Sequence, residues 1–133
     1  MKYFFIIIFL LFSFNSYAEN NDIFERAKEI QGEVSKDLPQ KLSQTLTLHS
    51  ASSSKKTVTL NAILHYTRSY LENAVDAGGV TMDSIKVKMR KFTKNTVCSF
   101  PLLKSFILIG GRIDYAYRFE DGEKYMLISI DRC

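Results

Sequence analysis

The sequence has few of the residues from which catalytic and metal sites are built. It contains only two cysteines and two histidines among 133 residues. No glycine-rich phosphate loop, zinc-protease motif, nucleophile elbow or close pair of carboxylates stands out in it. His49 and His65 fall in separate segments that lack the spacing of metal ligands. These absences favour a protein that is not an enzyme and that uses no metal or other cofactor.

Long apolar runs are also missing, except for one at the N-terminus. Lys2 gives this segment a positive start, and residues 3–12 are aromatic or aliphatic without interruption. Ser16 and Ala18 then place small residues where a signal peptidase recognises its substrate. The apolar run breaks at Ser13, well short of the roughly 20 residues that span a bilayer. A retained membrane anchor is therefore the less favoured alternative.

We predict that residues 1–18 are a Sec-type signal peptide, cleaved after Ala18, and that residues 19–133 form one exported α+β domain. No cysteine lies near the cleavage point and no Arg-Arg pair precedes the apolar run. These absences argue against a lipid-anchored product and against twin-arginine export. The sequence also has no Asn-X-Ser/Thr sequon, which favours a bacterial periplasmic or secreted protein over a eukaryotic one.

The exported domain is only mildly basic. The leader contains one of the 18 basic residues and none of the 14 acidic ones, so the remainder has a net charge of +3. An exported protein with so small a charge is a poor candidate for binding nucleic acid. We expect no transmembrane segment after the leader is removed.

Cys98 and Cys133 are predicted to form a disulfide. In an oxidising compartment, the simplest interpretation of two thiols is that they form one disulfide. In the chain-entropy model, a disulfide that closes a loop of about 36 residues adds roughly 4 kcal/mol to stability. A redox pair is the first alternative, but such cysteines normally stand two residues apart. A zinc site is the second, and it lacks partner ligands.

Hydrophobic periodicity predicts most of the secondary structure. Pro101 is well placed to begin a short helix that ends at Gly110-Gly111, although a continuous strand is an alternative for this segment. The stretch from Arg68 to Thr81 has no clear pattern beyond one or two helical turns. The predicted elements are helices at Asp22–Lys36, Asp83–Val97 and Leu102–Ile109, strands at Gln40–His49 and Val58–Tyr66 joined by a polar loop at 50–56, and a C-terminal hairpin.

The C-terminal hairpin has the strongest signal, because apolar and polar residues alternate strictly from Arg112 to Phe119 and Asp121-Gly122 offers a two-residue turn. Keeping the apolar residues on one face determines the register. The predicted cross-strand pairs are Ile113 with Ile130, Tyr115 with Ile128, Tyr117 with Met126, Arg118 with Tyr125 and Arg112 with Asp131.

Together these elements predict an α+β fold. An N-terminal helix precedes a four-stranded antiparallel sheet made of two hairpins, with amphipathic helices packed on one face.

The helix predicted at Asp83–Val97 has an apolar line and a basic face. Ile85, Met89, Phe92 and Thr96 recur at spacings of four, three and four residues. A solvated surface is the ordinary interpretation of the basic face. The functional interpretation is contact with an acidic partner protein or with anionic lipid headgroups. The candidate partner-binding residues are Lys86, Arg90, Lys91 and Lys94.

The last third of the chain carries a recognisable pattern. It consists of Asn95-Thr-Val-Cys98, Pro101, Leu103, Gly110-Gly111, Ile113-Asp-Tyr115-Ala-Tyr117, Asp121-Gly122 and a terminal strand that leads to Cys133. This pattern resembles the quorum-sensing-regulated virulence factor family, small exported proteins of Gram-negative bacteria with an α/β fold. The resemblance implies an exported, virulence-associated protein of unknown molecular activity. It implies no catalytic residues, and it pairs Cys98 with Cys133.

Two classes of function fit these observations. The first is a periplasmic or secreted accessory protein that acts by binding another envelope or secreted protein, or an anionic surface. The second is a periplasmic inhibitor or immunity protein that neutralises an envelope-directed hydrolase. Small size, a leader, one disulfide and the lack of a catalytic motif suit both classes.

Overall fold

The computed structural model describes residues 22–133. The predicted signal peptide and its cleavage site lie outside the described residues. Helix α1 covers residues 22–35, close to its predicted range. Its apolar stripe joins the core through Ala27 and Ile30, both fully buried. Gln31 extends the contact, since its side-chain amide donates to the backbone oxygen of Ala51, 3.2 Å away.

Eight further elements follow α1, and the chain is α+β as predicted. The helix without a clear sequence pattern is capped by Thr67, whose hydroxyl accepts a hydrogen bond from the backbone nitrogen of Tyr70, and its C-cap is Gly78. The elements are β1 (Gln40–Ser43), β2 (Leu46–Ser54), β3 (Thr57–Leu64), α2 (Arg68–Ala77), α3 (Met82–Ser99), α4 (Pro101–Leu108), β4 (Arg112–Phe119) and β5 (Lys124–Ile130).

The strands form one five-stranded sheet in the order β1-β2-β3-β4-β5. The prediction of four antiparallel strands is wrong, because the described sheet has five and β3 pairs with β4 in parallel. The other three pairs are antiparallel. Parallel neighbours need a long crossover connection, and here α2, α3 and α4 supply it.

The extra strand arises where the predicted first hairpin is wrong. The predicted strand Gln40–His49 is divided between β1 and β2, and most of the predicted loop at 50–56 continues β2. The turn to β3 is short, and Lys55 adopts the left-handed region with φ 53°. A serine-rich stretch is a weak strand former on its own. It is stable here because the partner strand satisfies its backbone, and Asn61 also donates to the Ser50 hydroxyl at 3.1 Å.

The predicted register of the C-terminal hairpin is confirmed for its three apolar pairs, from Ile113–Ile130 to Tyr117–Met126. Beyond Tyr117 the register shifts, so Arg118 lies opposite Lys124 and the predicted Arg118–Tyr125 pair is wrong. The predicted pairing of Arg112 with Asp131 is wrong too. Strand β5 ends before Asp131, and the Arg112 guanidinium instead lies 3.0 Å from the Asp114 carboxylate.

The core lies between one face of the sheet and the helices. Helices α3 and α4 pack over β4 and β5. Over β1 and β2 the helices leave two cavities beside α3, although most of the sheet side chains that line them are buried. The largest fully buried side chains are Phe106, Phe119, Ile30, Leu60, Ile113, Val58, Val97 and Thr93.

Candidate functional site: an apolar trough beside helix α3

A groove runs between α3 and the β1–β2 edge of the sheet, and we call it the trough. It consists of two neighbouring cavities, one of about 420 Å³ and one of about 270 Å³, whose linings follow one another along β1 and α3. Leu42 of the edge strand β1 borders the larger part and is 42% exposed. The floor consists of side chains that point inward from β2, β3 and β4, namely Leu46, Leu48, Leu60, Leu64, Tyr115 and Tyr117.

Helix α3 forms the long wall of the trough, and it turns a different side to the core than its sequence pattern predicts. Its most deeply buried residues are Thr93 and Val97, whereas Phe92 is 57% exposed. The predicted apolar line therefore lies at the border of the core and faces the trough. The wall residues are Ile85, Met89, Phe92, Thr96 and Phe100.

A buried hydrogen bond explains this rotation of α3. The Thr93 hydroxyl donates to the backbone oxygen of Met89 at 2.7 Å, and it lies 2.8 Å from the Tyr117 hydroxyl, which can donate to it. Burial raises the pKa of Tyr117. A buried hydroxyl without a partner is costly, so this pair favours the rotation that points Thr93 at the sheet. Phe92 is then left at the trough.

The trough floor is uncharged. Tyr115 stacks on Tyr117 with ring centroids 5.3 Å apart. Burial raises the pKa of Tyr115 to about 12, because ionisation would place a charge in a medium of low polarity. Both phenols therefore stay neutral at physiological pH, and the floor suits an apolar ligand surface.

The two parts of the trough are bordered by charges of opposite sign. Glu33 and Asp37, at the end of α1, border the larger part, and Lys88 borders the smaller one. Lys36 lies 2.8 Å from Glu33 and neutralises it. Within residues 22–133, neither Asp37 nor Lys88 has an ion-pair partner within 4 Å. The trough thus has a mainly apolar lining, with acidic residues beside its larger part and a lysine beside its smaller part.

The basic face predicted from the sequence lies on the other sides of α3. Arg90, Lys91 and Lys94 are exposed, whereas Lys86 is half-buried with its amine 6.0 Å from the ring centroid of Tyr125. None of the four forms an ion pair with another described residue. A role of this face in binding stays a prediction.

A disulfide joins Cys98 to Cys133, with the two Cα atoms 5.7 Å apart. Cys98 belongs to the last turn of α3, next to Val97, which lines the larger part of the trough. Cys133 follows the end of β5. The bond therefore ties the end of the trough wall to the far edge of the sheet.

The histidines lie away from the trough. The Nε2 atom of His65 is 2.6 Å from the Thr47 hydroxyl, in an exposed pair. Among the described residues, no group of three or more histidine, cysteine, aspartate or glutamate side chains could hold a metal ion. No helix of residues 22–133 is both long enough and apolar enough to cross a membrane.

The sequence does contain a signal for the trough, although it does not show which side of α3 is free. The wall residues Ile85, Met89, Phe92 and Thr96 follow the alternating four-three spacing of a helix that packs against another helix. The two buried residues of the helix, Thr93 and Val97, each lie one position after a residue of that line, Phe92 and Thr96. Helix α3 thus has more apolar surface than its own core uses.

Comparison with known proteins shows a shared fold. No protein-family model matches the chain, and no curated protein is significantly similar to it in sequence. The pilotin EpsS of the Vibrio vulnificus type 2 secretion system superimposes with a TM-score of 0.66 at 17% identity, over 85% of this chain and 91% of that chain. The type II secretion system pilotin AspS from Vibrio cholerae gives a TM-score of 0.63 at 14% identity, over 86% and 94%.

A candidate secreted protein from Pseudomonas aeruginosa has the same fold. Its TM-score is 0.65 at 10% identity, and the match covers 85% of this chain and 92% of that chain. At such low identities these likenesses establish the architecture, and the trough residues must be judged by their own chemistry.

Proposed function

We propose that this protein is a non-catalytic accessory protein of the bacterial cell envelope that binds an apolar segment of another envelope protein in the trough. The observation that carries the proposal is that the apolar side chains of Leu42, Phe92 and Phe100 stand exposed around a trough whose floor is also apolar. A rimmed apolar groove of this kind is typical of a binding site. Two solved structures with this fold are named as pilotins of type II secretion systems, which supports an accessory role beside a secretion apparatus.

The wall offers anchors for such a partner. Phe92 and Phe100 are 57% and 50% exposed, and they meet at a shallow depression on α3 that they share with Asn95, Thr96 and Ser99. Buried aromatic side chains are common among the residues that dominate binding energy. Covering them would contribute roughly 25 cal/mol for each Å² of apolar surface removed from water.

The remaining predictions of compartment and family agree with this proposal. A Sec leader would deliver the chain to the envelope, and membership of the quorum-sensing-regulated virulence factor family would make it virulence-associated. An inhibitor or immunity protein is the alternative function, and it would use an exposed surface against a hydrolase. The identity of the bound protein would distinguish the accessory function from the inhibitor function.

Photo-crosslinking in intact cells tests the proposal. A photoreactive phenylalanine analogue at Phe92 should capture one defined envelope protein, and Phe100→Glu should reduce that capture at least several-fold. The matched control is the same analogue at Val87, which is equally exposed at 61% but lies on another side of α3.

Equal capture from positions 87 and 92, or none from 92, would refute binding in the trough. Capture of a hydrolase whose activity falls on binding would instead establish the inhibitor function.

A further inference from the structure

We propose that a partner segment of extended conformation and acidic composition adds as a strand to the outer edge of β5. This second binding surface is separate from the trough and lies on the other side of α3. Three features carry the proposal: the unpaired edge of β5, a row of cations on α3 beside that edge, and the matching spacing of the cations and of residues in a strand.

Strand β5 has a free edge. It is the last strand of the sheet and pairs only with β4. Among residues 22–133, the only other hydrogen bond to its backbone comes from the Arg68 side chain, which donates to the Lys124 oxygen at 3.3 Å. The strand contains no proline, and from Met126 to Ile130 it pairs with β4 without a bulge. Such a regular edge is able to accept a further strand.

A row of cations on α3 lies beside this edge, and we call Lys86, Arg90 and Lys94 the basic row. Residues four positions apart share one face of a helix. Helix α3 runs along β5 in the same direction, because the Lys86 amine lies 6.0 Å from the ring centroid of Tyr125 at one end and the disulfide joins the two elements at the other. No carboxylate of residues 22–133 pairs with the basic row.

The spacing of the basic row matches that of a strand. Residues four apart on a helix are separated by a rise of about 6.0 Å, and alternate residues of a strand by about 6.6–6.8 Å. Three acidic side chains on one face of an added strand would therefore stand opposite the three cations.

The other face of the added strand would lie beside Leu127. This side chain is 61% exposed. It belongs to the uncovered face of the sheet, because its neighbour on β4 is Ala116 rather than one of the core tyrosines. Apolar residues between the acidic ones would cover it. The occupant is thus a segment in which acidic and apolar residues alternate.

Charge complementarity favours this occupant over a second copy of the chain. Strand β5 has no acidic residue, so pairing it with another β5 would leave both basic rows uncompensated. An anionic lipid surface would neutralise the cations but would leave the backbone groups of the edge without partners. An acidic strand satisfies both the cations and the edge.

The test uses the full chain, exported and purified with its disulfide formed. The probe is a peptide of about seven residues in which glutamate and valine alternate, blocked at both ends. At about ten times the Kd of the peptide, alternate amides between Met126 and Ile130 should exchange with solvent roughly 10-fold more slowly, because binding holds them in hydrogen bonds. Nuclear magnetic resonance of the ¹⁵N-labelled protein measures the exchange. Unchanged rates along β5 would overturn the proposal.

Two methylated peptides separate strand pairing from simple charge attraction. One carries N-methyl groups on its glutamates and the other on its valines, so they lack backbone donors on opposite edges of the strand. Only the peptide methylated on the edge that faces β5 should lose its binding. Equal affinity of the two peptides would rule out strand addition.

Charge variants test the basic row. Arg90→Glu combined with Lys94→Glu should weaken the glutamate peptide about 10-fold and should strengthen binding of a peptide with lysine in place of glutamate. Lys88→Glu is the matched control, because Lys88 is an exposed cation of the same helix that borders the trough instead. A larger loss from Lys88→Glu than from the double variant would place the peptide in the trough and contradict the proposal.

Two further measurements identify a different occupant. Shifts of the β5 amide signals that grow with protein concentration, in the absence of peptide, would show that a second copy occupies the edge. Binding to phosphatidylglycerol vesicles through the basic row, without protection of β5 by the peptide, would show a lipid surface. Either result would replace the acidic strand as the occupant.

Discussion

The two halves of the sheet use the same kind of residue for different purposes. Over β4 and β5 the apolar face is closed by α3 and α4, and Ile113 and Phe119 are at most 1% exposed. Over β1 and β2 the helix layer is incomplete, and Leu42 stays 42% exposed at the trough. The covered half holds the domain together, whereas the open half keeps apolar surface available for a partner.

This difference means that stability and binding should respond to different substitutions. Apolar side chains in the covered half have already lost their contact with water, so truncating them leaves cavities. Exposed side chains at the rim of the trough, such as Phe92, retain much of that contact, so truncating them costs little until a partner covers them. Four predictions test this separation, from the largest effect on folding to the smallest.

Phe106→Ala should lower the free energy of unfolding by about 3–5 kcal/mol, the usual cost of a large aromatic cavity. Phe106 is fully buried in α4. It packs so closely on Gly111 that a Cβ there would collide with its ring. Urea denaturation followed by circular dichroism measures the change. A loss below about 1 kcal/mol would contradict the assignment of this half as the core.

Replacing both Cys98 and Cys133 by serine should cost about 2–4 kcal/mol, because the unfolded chain regains the freedom of a loop that spans a sequence separation of 35. The same denaturation experiment measures it, and reduced wild-type protein is the control. If reduction left the urea midpoint of the wild-type protein unchanged, the disulfide would not stabilise the domain.

Tyr115 should make the protein less stable at high pH. The folded state holds the phenolic proton to a pKa of about 12, above the ordinary value of about 10. Between these values the folded state binds more protons than the unfolded chain, so the free energy of unfolding falls as pH rises. The loss attributable to Tyr115 is roughly 2–3 kcal/mol when complete.

Urea denaturation at pH 9 and pH 11, compared with Tyr115→Phe, isolates this contribution. Burial also raises the pKa of Tyr66, Tyr117 and Tyr125, so part of the decline should remain in the variant. A variant as pH-dependent as the wild-type protein would show that Tyr115 is not held neutral by burial.

Phe92→Ala should change the free energy of unfolding by no more than about 1 kcal/mol, while reducing roughly 10-fold the capture of the envelope partner by a photoreactive analogue at Phe100. Phe92 is the counterpart of Phe106 in this comparison, since both are phenylalanines on helices but only Phe106 is buried. Crosslinking yield in intact cells and urea denaturation measure the two effects, and Val87→Ala should alter neither. Destabilisation as large as that of Phe106→Ala would erase the distinction between the halves.

The C-terminal hairpin was predictable in detail because its information is local. Strict alternation and the Asp121-Gly122 turn determine which residues face each other up to Tyr117. The first hairpin was not, because the polar stretch from Ser50 to Ser54 is strand only by virtue of its pairing with β3. Local composition cannot reveal strand pairing that depends on tertiary structure.

Helix α3 shows the same division within one element. Its helical nature and amphipathic pattern follow from the spacing of residues along the chain, as does the excess of apolar side chains. Which of them are buried depends on rotation about the helix axis, and the contact of Thr93 with Tyr117 favours that rotation across 24 residues of sequence.

The sequence by itself therefore determined the α+β class, most helices and the register of the apolar pairs in the last hairpin, because these depend on periodicity and turn chemistry. Only the tertiary structure decided the parallel pairing of β3 with β4, the fifth strand and the trough. Each of these features depends on contacts between segments that are far apart in the sequence, and on which apolar surfaces those contacts leave exposed.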